Sequence, residues 1–205
     1  MESGRRVFVV DDEAVVLKAL ERMLRSNGFT VEAFPTAEAL LERLPYDGIA
    51  CVLIDLRMPG VSGLELQNVM SRRGLTMPII FLSAHGDVPS TARAMREGAI
   101  DFLEKPIEEP LLLEAIERAL TRAGELYEQH RAEHDTEARL ARLTKREREV
   151  GELVARGLLN KQIAFELGTS EKTVKVHRGR VMRKLRVESV PDLVRLLERR
   201  PPSHR

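Results

Sequence analysis

The sequence predicts an α/β domain, a doubly wound five-stranded parallel sheet, followed by a small all-α domain built around a helix-turn-helix. Three observations carry that expectation. Over residues 6–122, five short apolar runs are each followed by a stretch with apolar residues at helical spacing. Such alternation gives a parallel sheet with helices on both faces. The last third is a series of short helical patterns cut by glycines. Charge divides at the same place: residues 1–139 hold 16 Lys and Arg against 24 Asp and Glu, and residues 140–205 hold 17 against 8. The halves carry −8 and +9, which sum to the overall +1. An acidic part joined to a basic part predicts two domains with different partners, the basic one suited to a polyanion such as DNA.

Residues 6–10 (RVFVV) read as the first strand, which ends in Asp11-Asp12-Glu13. Residues 14–26 read as a helix stopped by Asn27-Gly28. A strand at 30–34 and a helix at 37–44 follow. Residues 49–54 (IACVLI) are nearly all apolar, as in a strand covered on both faces. A helix at 64–73 ends at Gly74, the next strand is 78–82 (PIIFL), a helix at 89–97 ends at Gly98, and the fifth strand is 100–103. From 108 to about 142 the chain is rich in Glu, Arg, Ala and Leu, strong helix formers, and reads as the last helix of the sheet domain running on into a charged linker.

Several classes are excluded. The single cysteine, Cys51, allows no disulfide framework and reads as an inert buried thiol. Apolar runs are too short to span a bilayer, and Arg5-Arg6 lead straight into a strand without a signal core. A cytoplasmic protein is expected. No Trp and 4% aromatics argue against a base-stacking single-strand binder.

The strand ends carry the chemistry. Asp11 and Asp12 follow the first strand, Asp55 the third, Ser83 the fourth and Lys105 the fifth. In a parallel sheet all five lie at one edge, where such sheets bind ligands. Clustered carboxylates repel one another unless a cation intervenes. A hard divalent ion with oxygen ligands, Mg²⁺, suits them. A carboxylate beside Mg²⁺, a lysine and a hydroxyl can attack a phosphoryl group, while the cations stabilise the transferring oxygens. Taken singly, each has a plainer reading: an Asp or Ser after a strand is usually a turn or cap residue. His85 lies in a loop without metal-ligand spacing and reads as a surface residue.

VVDDE at 9–13, LIDLRMPGVSGLEL at 53–66, IIFLSAHGDV at 79–88 and DFLEKP at 101–106 resemble the flavodoxin-like receiver domain of two-component response regulators, in the FixJ-like branch. The resemblance implies that Asp55 is the phosphoacceptor. It implies Mg²⁺ held directly by Asp12, Asp55 and the Arg57 carbonyl, with Asp11 acting through water. Ser83 would hydrogen bond the phosphoryl group and Lys105 would ion-pair with it. Phe102 would be the aromatic switch, and the Lys105–Pro106 bond would be cis.

In the basic part, residues 143–156 (LTKREREVGELVAR) open with Thr144 and, three residues on, Glu147, the spacing of a capping box. Helices are expected at 160–167, 171–185 (capped by Ser170) and about 190–198, with Gly168 in the turn before the third helix. The third helix carries Lys172, Lys175, Arg178, Arg180, Arg183 and Lys184, with an apolar stripe of Val174, Val181 and Leu185. Cations on one side and a core stripe on the other suit a helix in the major groove. LTKREREV and ARGLLNKQIAFELGTSEKTVKVHRGRVMRKL resemble the LuxR-type (NarL/FixJ-type) helix-turn-helix. The resemblance implies base-edge contacts from Lys175, Val176 and Gly179, and phosphate contacts from Lys161, Thr173, Arg178 and Lys184. Gly151 stands where relatives carry Leu, which predicts looser packing. His177 reads as a packed, hydrogen-bonded residue.

The expected organisation is a phosphoacceptor receiver over 1–122, a helical linker over 123–139 and a DNA-binding domain over 140–205. The expected function is a transcription regulator that takes phosphoryl from a sensor histidine kinase onto Asp55, dimerises, binds double-stranded promoter DNA and contacts RNA polymerase, as an activator and not as an enzyme. The alternatives are a phosphorylation-independent DNA binder with a degenerate receiver and an aspartate-based phosphohydrolase. A phosphohydrolase usually has a second Asp two residues after its nucleophile, where this chain has Arg57.

Overall fold

The structure is a computed structural model, and it describes residues 5–84 and 88–198. The expected surface role of His85 falls outside the described residues. The chain forms two compact units, residues 1–128 and 129–205.

The first unit runs β1 (Arg6–Val10), α1 (Ala14–Ser26), β2 (Thr30–Phe34), α2 (Ala37–Arg43), β3 (Ala50–Asp55), α3 (Gly63–Arg72), β4 (Ile79–Ser83), α4 (Val88–Arg96), β5 (Asp101–Glu104) and α5 (Glu109–Ala141). All ladders are parallel, in the order β2-β1-β3-β4-β5. Successive side chains on a strand point to opposite faces, so the sheet separates two cores. Val7, Val9, Cys51, Leu53, Ile80 and Leu82 pack on α1 and α5. Phe8, Val10, Val52, Ile54 and Phe81 pack on α2, α3 and α4. With both faces covered, every residue of β3 is buried. Burial pushes the Cys51 thiol up to about 12, with Arg5 opposing and Glu117 adding to the shift, so it stays protonated and inert.

Three strands sit one residue further along than the sequence periodicity suggests: β3 at 50–55, β4 at 79–83 and β5 at 101–104. Pro78 has no N–H for the ladder, although its carbonyl accepts from the Val52 amide at 2.9 Å. Asp55 and Ser83 are therefore the last ladder residues of their strands rather than loop residues, and Asp55 pairs with Leu82. Pro110 falls in the first turn of α5, where its missing N–H would have had no helical partner.

The second unit contains the end of α5, then α6 (Lys145–Ala155), α7 (Asn160–Glu166), α8 (Glu171–Leu185) and α9 (Val190–Glu198) around one apolar core. The capping box on α6 is formed. The Thr144 hydroxyl accepts from the Glu147 amide, and the Glu147 carboxylate accepts from the Thr144 amide. Gly168 turns the chain between α7 and α8 at φ +60°, a conformation that costs most side chains energy. Gly151 is buried, with Val181 methyls within reach of where a Cβ would stand. A cavity of about 20 Å³ lies beside it, lined by residues including Leu140, Leu143, Leu185, Leu193 and Leu197. Thr144→Ala should lower stability by about 1 kcal/mol, the usual effect of losing a hydroxyl cap, as read by urea unfolding of the full chain.

Candidate functional site

At the carboxyl edge of the sheet, the ends of β1, β3 and β5 place Asp11, Asp55 and Lys105 in direct contact. The Lys105 ammonium lies 2.8 Å from Asp11 Oδ2 and 3.0 Å from Asp55 Oδ1. The Asp11 side chain has no exposed surface, and its other oxygen accepts from the Glu13 amide at 2.9 Å. Both Asp11 oxygens are thus held inside the protein. Asp12, next in sequence, is exposed. Ser83 is buried at the end of β4, and its carbonyl accepts from the Lys105 amide at 2.7 Å. The Lys105–Pro106 bond is cis.

Burial and the Asp11 charge hold the Asp55 carboxyl above its ordinary value, against the opposing pull of Lys105 and a hydrogen bond from the Arg57 amide. Burial alone would lower Lys105, but its hydrogen bonds and charge attraction to Asp11 and Asp55 win, so it is raised. Lys105 is therefore a fixed cation. The anionic form of Asp55 grows as pH rises through that raised value. The receiver resemblance implies a role for the carbonyl of Arg57; the structure adds its N–H, which hydrogen bonds the Asp55 carboxylate. No sequence signal marks that donor, because every non-proline residue carries one.

Gly63 was also missed. At the start of α3, a Cβ there would lie 2.7 Å from the Asp55 carbonyl oxygen and 3.0 Å from the Phe81 ring. Only glycine lets α3 sit against the end of β3, where the Gly63 amide donates to the Leu56 carbonyl at 3.2 Å. Gly63→Ala should destabilise the chain by about 2 kcal/mol through overpacking against backbone, checked by thermal unfolding. Phe102 is half-buried on the same side of the sheet as α3 and α4, its ring centroid 6.5 Å from that of Phe81.

In the second unit, Lys172, Lys175, Val176, Gly179, Arg180 and Arg183 are all exposed on α8. Their spacing of three and four places them along one face, opposite Val174, Val181 and Leu185 in the core. A Cβ on Gly179 would meet nothing within 4 Å. Thr173 donates its amide to the Ser170 hydroxyl at 3.1 Å, capping α8. Lys161 is exposed on α7, and Arg178 reaches Asn160 Oδ1 at 3.2 Å. Lys184 points elsewhere: its ammonium binds the Arg142 carbonyl at 3.1 Å and Glu147 at 2.5 Å, so it holds the start of α6. The expected hydrogen bonding of His177 is incomplete, since its Nδ1 is buried without a partner among the described residues.

The Glu147 carboxyl is pulled down to about 2 by Lys184 and by the Thr144 amide. A lowered carboxylate stabilises the fold fully above its ordinary value of 4.5, and that contribution is lost as pH falls toward about 2. Lys184→Met should move the acid unfolding midpoint of the α6–α9 unit upward, read by far-UV circular dichroism against pH.

Among the described residues no three His, Cys, Asp or Glu side chains form a ready metal cluster, and no helix is long and apolar enough to cross a membrane.

Comparison with known proteins agrees with both units. Residues 7–117 match the response regulator receiver domain family, and residues 141–197 match the bacterial regulatory proteins of the luxR family. Nodulation protein W of Bradyrhizobium diazoefficiens is 43% identical over 192 residues, covering 94% of this chain and 85% of its own. The transcriptional regulatory protein FixJ of Rhizobium meliloti is 43% identical over 190 residues, covering 93% of each chain. The solved structure of the response regulator StyR, 47% identical, covers 96% of this chain and 100% of its own with a TM-score of 0.86.

Proposed function

This chain belongs to the response regulators that join a receiver domain to a LuxR-type DNA-binding domain, and from that premise we propose that phosphoryl transfer from a sensor histidine kinase to Asp55 drives it to dimerise on promoter DNA. The chain is a DNA-binding regulator of transcription. The observation that carries the phosphoacceptor role is the Asp11–Lys105–Asp55 contact at the carboxyl edge of the sheet. It puts a fixed cation 3.0 Å from a carboxylate that also accepts a hydrogen bond from the Arg57 amide. Both would stabilise charge on a phosphoryl group arriving at Asp55.

The donor chemistry of these residues suits Mg²⁺, although the described side chains are not gathered into a ready cluster. All the candidate donors are oxygens, and three carboxylates less one ammonium leave two negative charges for a divalent ion to offset. Asp12, Asp55 and the Arg57 carbonyl would hold the ion, and Asp11 would act through water, because both its oxygens are already engaged. When bound, the ion supplies charge neutralisation at the transferring oxygens. Ser83 and Lys105 then receive the phosphoryl oxygens. Inward motion of Ser83 opens space for Phe102 to turn and biases the α4–β5 face toward self-association.

DNA reading is assigned to α8. Lys175, Val176 and the open backbone at Gly179 would face the base edges, and Thr173, Lys161 and Arg178 would contact phosphates. Two copies on an inverted repeat would set their α8 helices about one DNA turn apart, and RNA polymerase is the next partner. The alternative of a degenerate receiver predicts DNA binding indifferent to a phosphodonor, and a phosphohydrolase would turn over a phosphomonoester.

The deciding experiment selects duplexes bound by the full chain treated with a small phosphodonor and Mg²⁺, with Asp55→Asn alongside. Enrichment that needs both Asp55 and the phosphodonor supports the reading; equal enrichment by both proteins refutes it. On a selected duplex, Lys175→Ala should cost about 1–3 kcal/mol and relax one base position. Lys161→Ala should weaken all sequences alike and reduce the salt slope by about one.

A further inference from the structure

We propose that Gln67 is a positioning residue that couples the phosphoacceptor end of β3 to α4 through the body of α3. The inference rests on the switch reading above and adds a route that does not pass through Ser83 or Phe102. One end of α3 is seated without slack: Gly63 stands where a Cβ would strike the Asp55 carbonyl oxygen, and its amide bonds Leu56. Gln67 lies one helical turn on, along the same buried face as Gly63, Leu66 and Met70. Its side chain is 5% exposed. Its amide Nε2 donates to the Ala94 carbonyl at 3.3 Å and to the Glu97 carbonyl at 3.1 Å, at the last turn of α4. The neighbouring Asn68 adds a bond to the Glu97 carboxylate at 3.3 Å. Thus α3 grips the end of α4 at one point and touches the phosphoacceptor's backbone at the other.

A second feature makes this grip a poised one. Gln67 Oε1 is buried and has no hydrogen-bond partner among the described residues. A buried polar atom left unpaired is costly, so this seat of α4 is held by one half of the amide and opposed by the other. Ala94 also accepts from the Ala99 amide at 3.1 Å, and Met95 from the Gly98 amide at 3.1 Å. Those two amides therefore report directly on whether the end of α4 is held. A cavity of about 290 Å³ adjoins, lined among others by Gln67, Met70, Leu75, Glu97, Gly98 and Ile100. It gives the α4–β5 turn room to move without displacing core side chains. A shift of β3's end on phosphorylation is passed by the rigid α3 to the Gln67 amide, and α4 changes its seat.

The test is Gln67→Leu, similar in volume and without polar atoms, in the full chain, with Asn68→Ala as a second variant that weakens the grip from the surface. Hydrogen exchange at Gly98 and Ala99 should speed up by about tenfold in Gln67→Leu and less in Asn68→Ala, while exchange in β1 and β3 is unchanged. The ratio of DNA affinity with and without a phosphodonor should shrink by about threefold to tenfold in Gln67→Leu, with Asp55 still phosphorylated. Unchanged exchange at 98–99 overturns the proposal. So does a variant that only lowers the unfolding midpoint and keeps the wild-type affinity ratio, since that is a merely structural glutamine. If the wild-type protein itself shows no phosphodonor-driven gain, the switch reading fails, and the exchange measurement still judges the grip.

Discussion

Asp55→Asn should yield a folded protein that no phosphodonor can activate. The amide keeps the shape of the carboxylate but cannot attack phosphorus, so incorporation of hydroxylamine-sensitive acyl phosphate should fall by at least about 100-fold. Stability should not suffer. Asp55 is buried next to Asp11, and its carboxyl is raised despite the pull of Lys105, so folding favours its neutral form more than the unfolded chain does. The contribution of such a group declines as pH rises above its unfolded value. The variant should therefore match or exceed the wild type at pH 7.5 in urea unfolding, by up to about 1 kcal/mol, while its DNA affinity with and without phosphodonor becomes equal. A variant that still responds to phosphodonor would remove the trigger from Asp55.

Lys105→Met is expected to have the largest effect on stability. Lys105 touches both Asp11 and Asp55, at 2.8 and 3.0 Å. Without it two carboxylates are left side by side, one of them with no exposed surface. Removing one partner of a buried ion pair typically costs about 3–5 kcal/mol, because the remaining charge has neither water nor a counter-ion. Proton uptake moderates that loss. The deficit should therefore be greatest at pH 7.5, shrink as pH falls and the carboxylates protonate, and shrink again when Mg²⁺ is added. Urea unfolding at two pH values, with and without Mg²⁺, reads all three trends. A loss below about 0.5 kcal/mol at pH 7.5 in metal-free buffer would mean that Lys105 is not the compensating charge.

These two variants show why the sheet edge was legible in the sequence. The first, third, fourth and fifth strands of the first unit each carry an apolar run that stops at a polar residue. Once the strands are parallel, the stops at 11, 55, 83 and 105 must share an edge. The helix-turn-helix was legible for a similar reason: capping residues Thr144 and Ser170 and turn residue Gly168 are local signals whose partners lie within three or four residues. Element ends were less legible. Asp55 and Ser83 belong to their strands because the neighbouring ladder extends to them, and that depends on register, not on local pattern.

What the sequence determined by itself was the order of elements, the parallel sheet, the acidic edge and the basic face of α8, because each follows from periodicity or from residue types within one element. What only the tertiary structure decided was the partner of each charge and amide. Lys184 could not be told from the outward lysines of α8 until α6 came to lie against it with Glu147, 37 positions away. Gly63 and Gln67 look like ordinary helix residues until β3 and α4 close on α3. Contacts between distant segments follow from packing, in which any one residue's role depends on what the rest of the chain brings up to it.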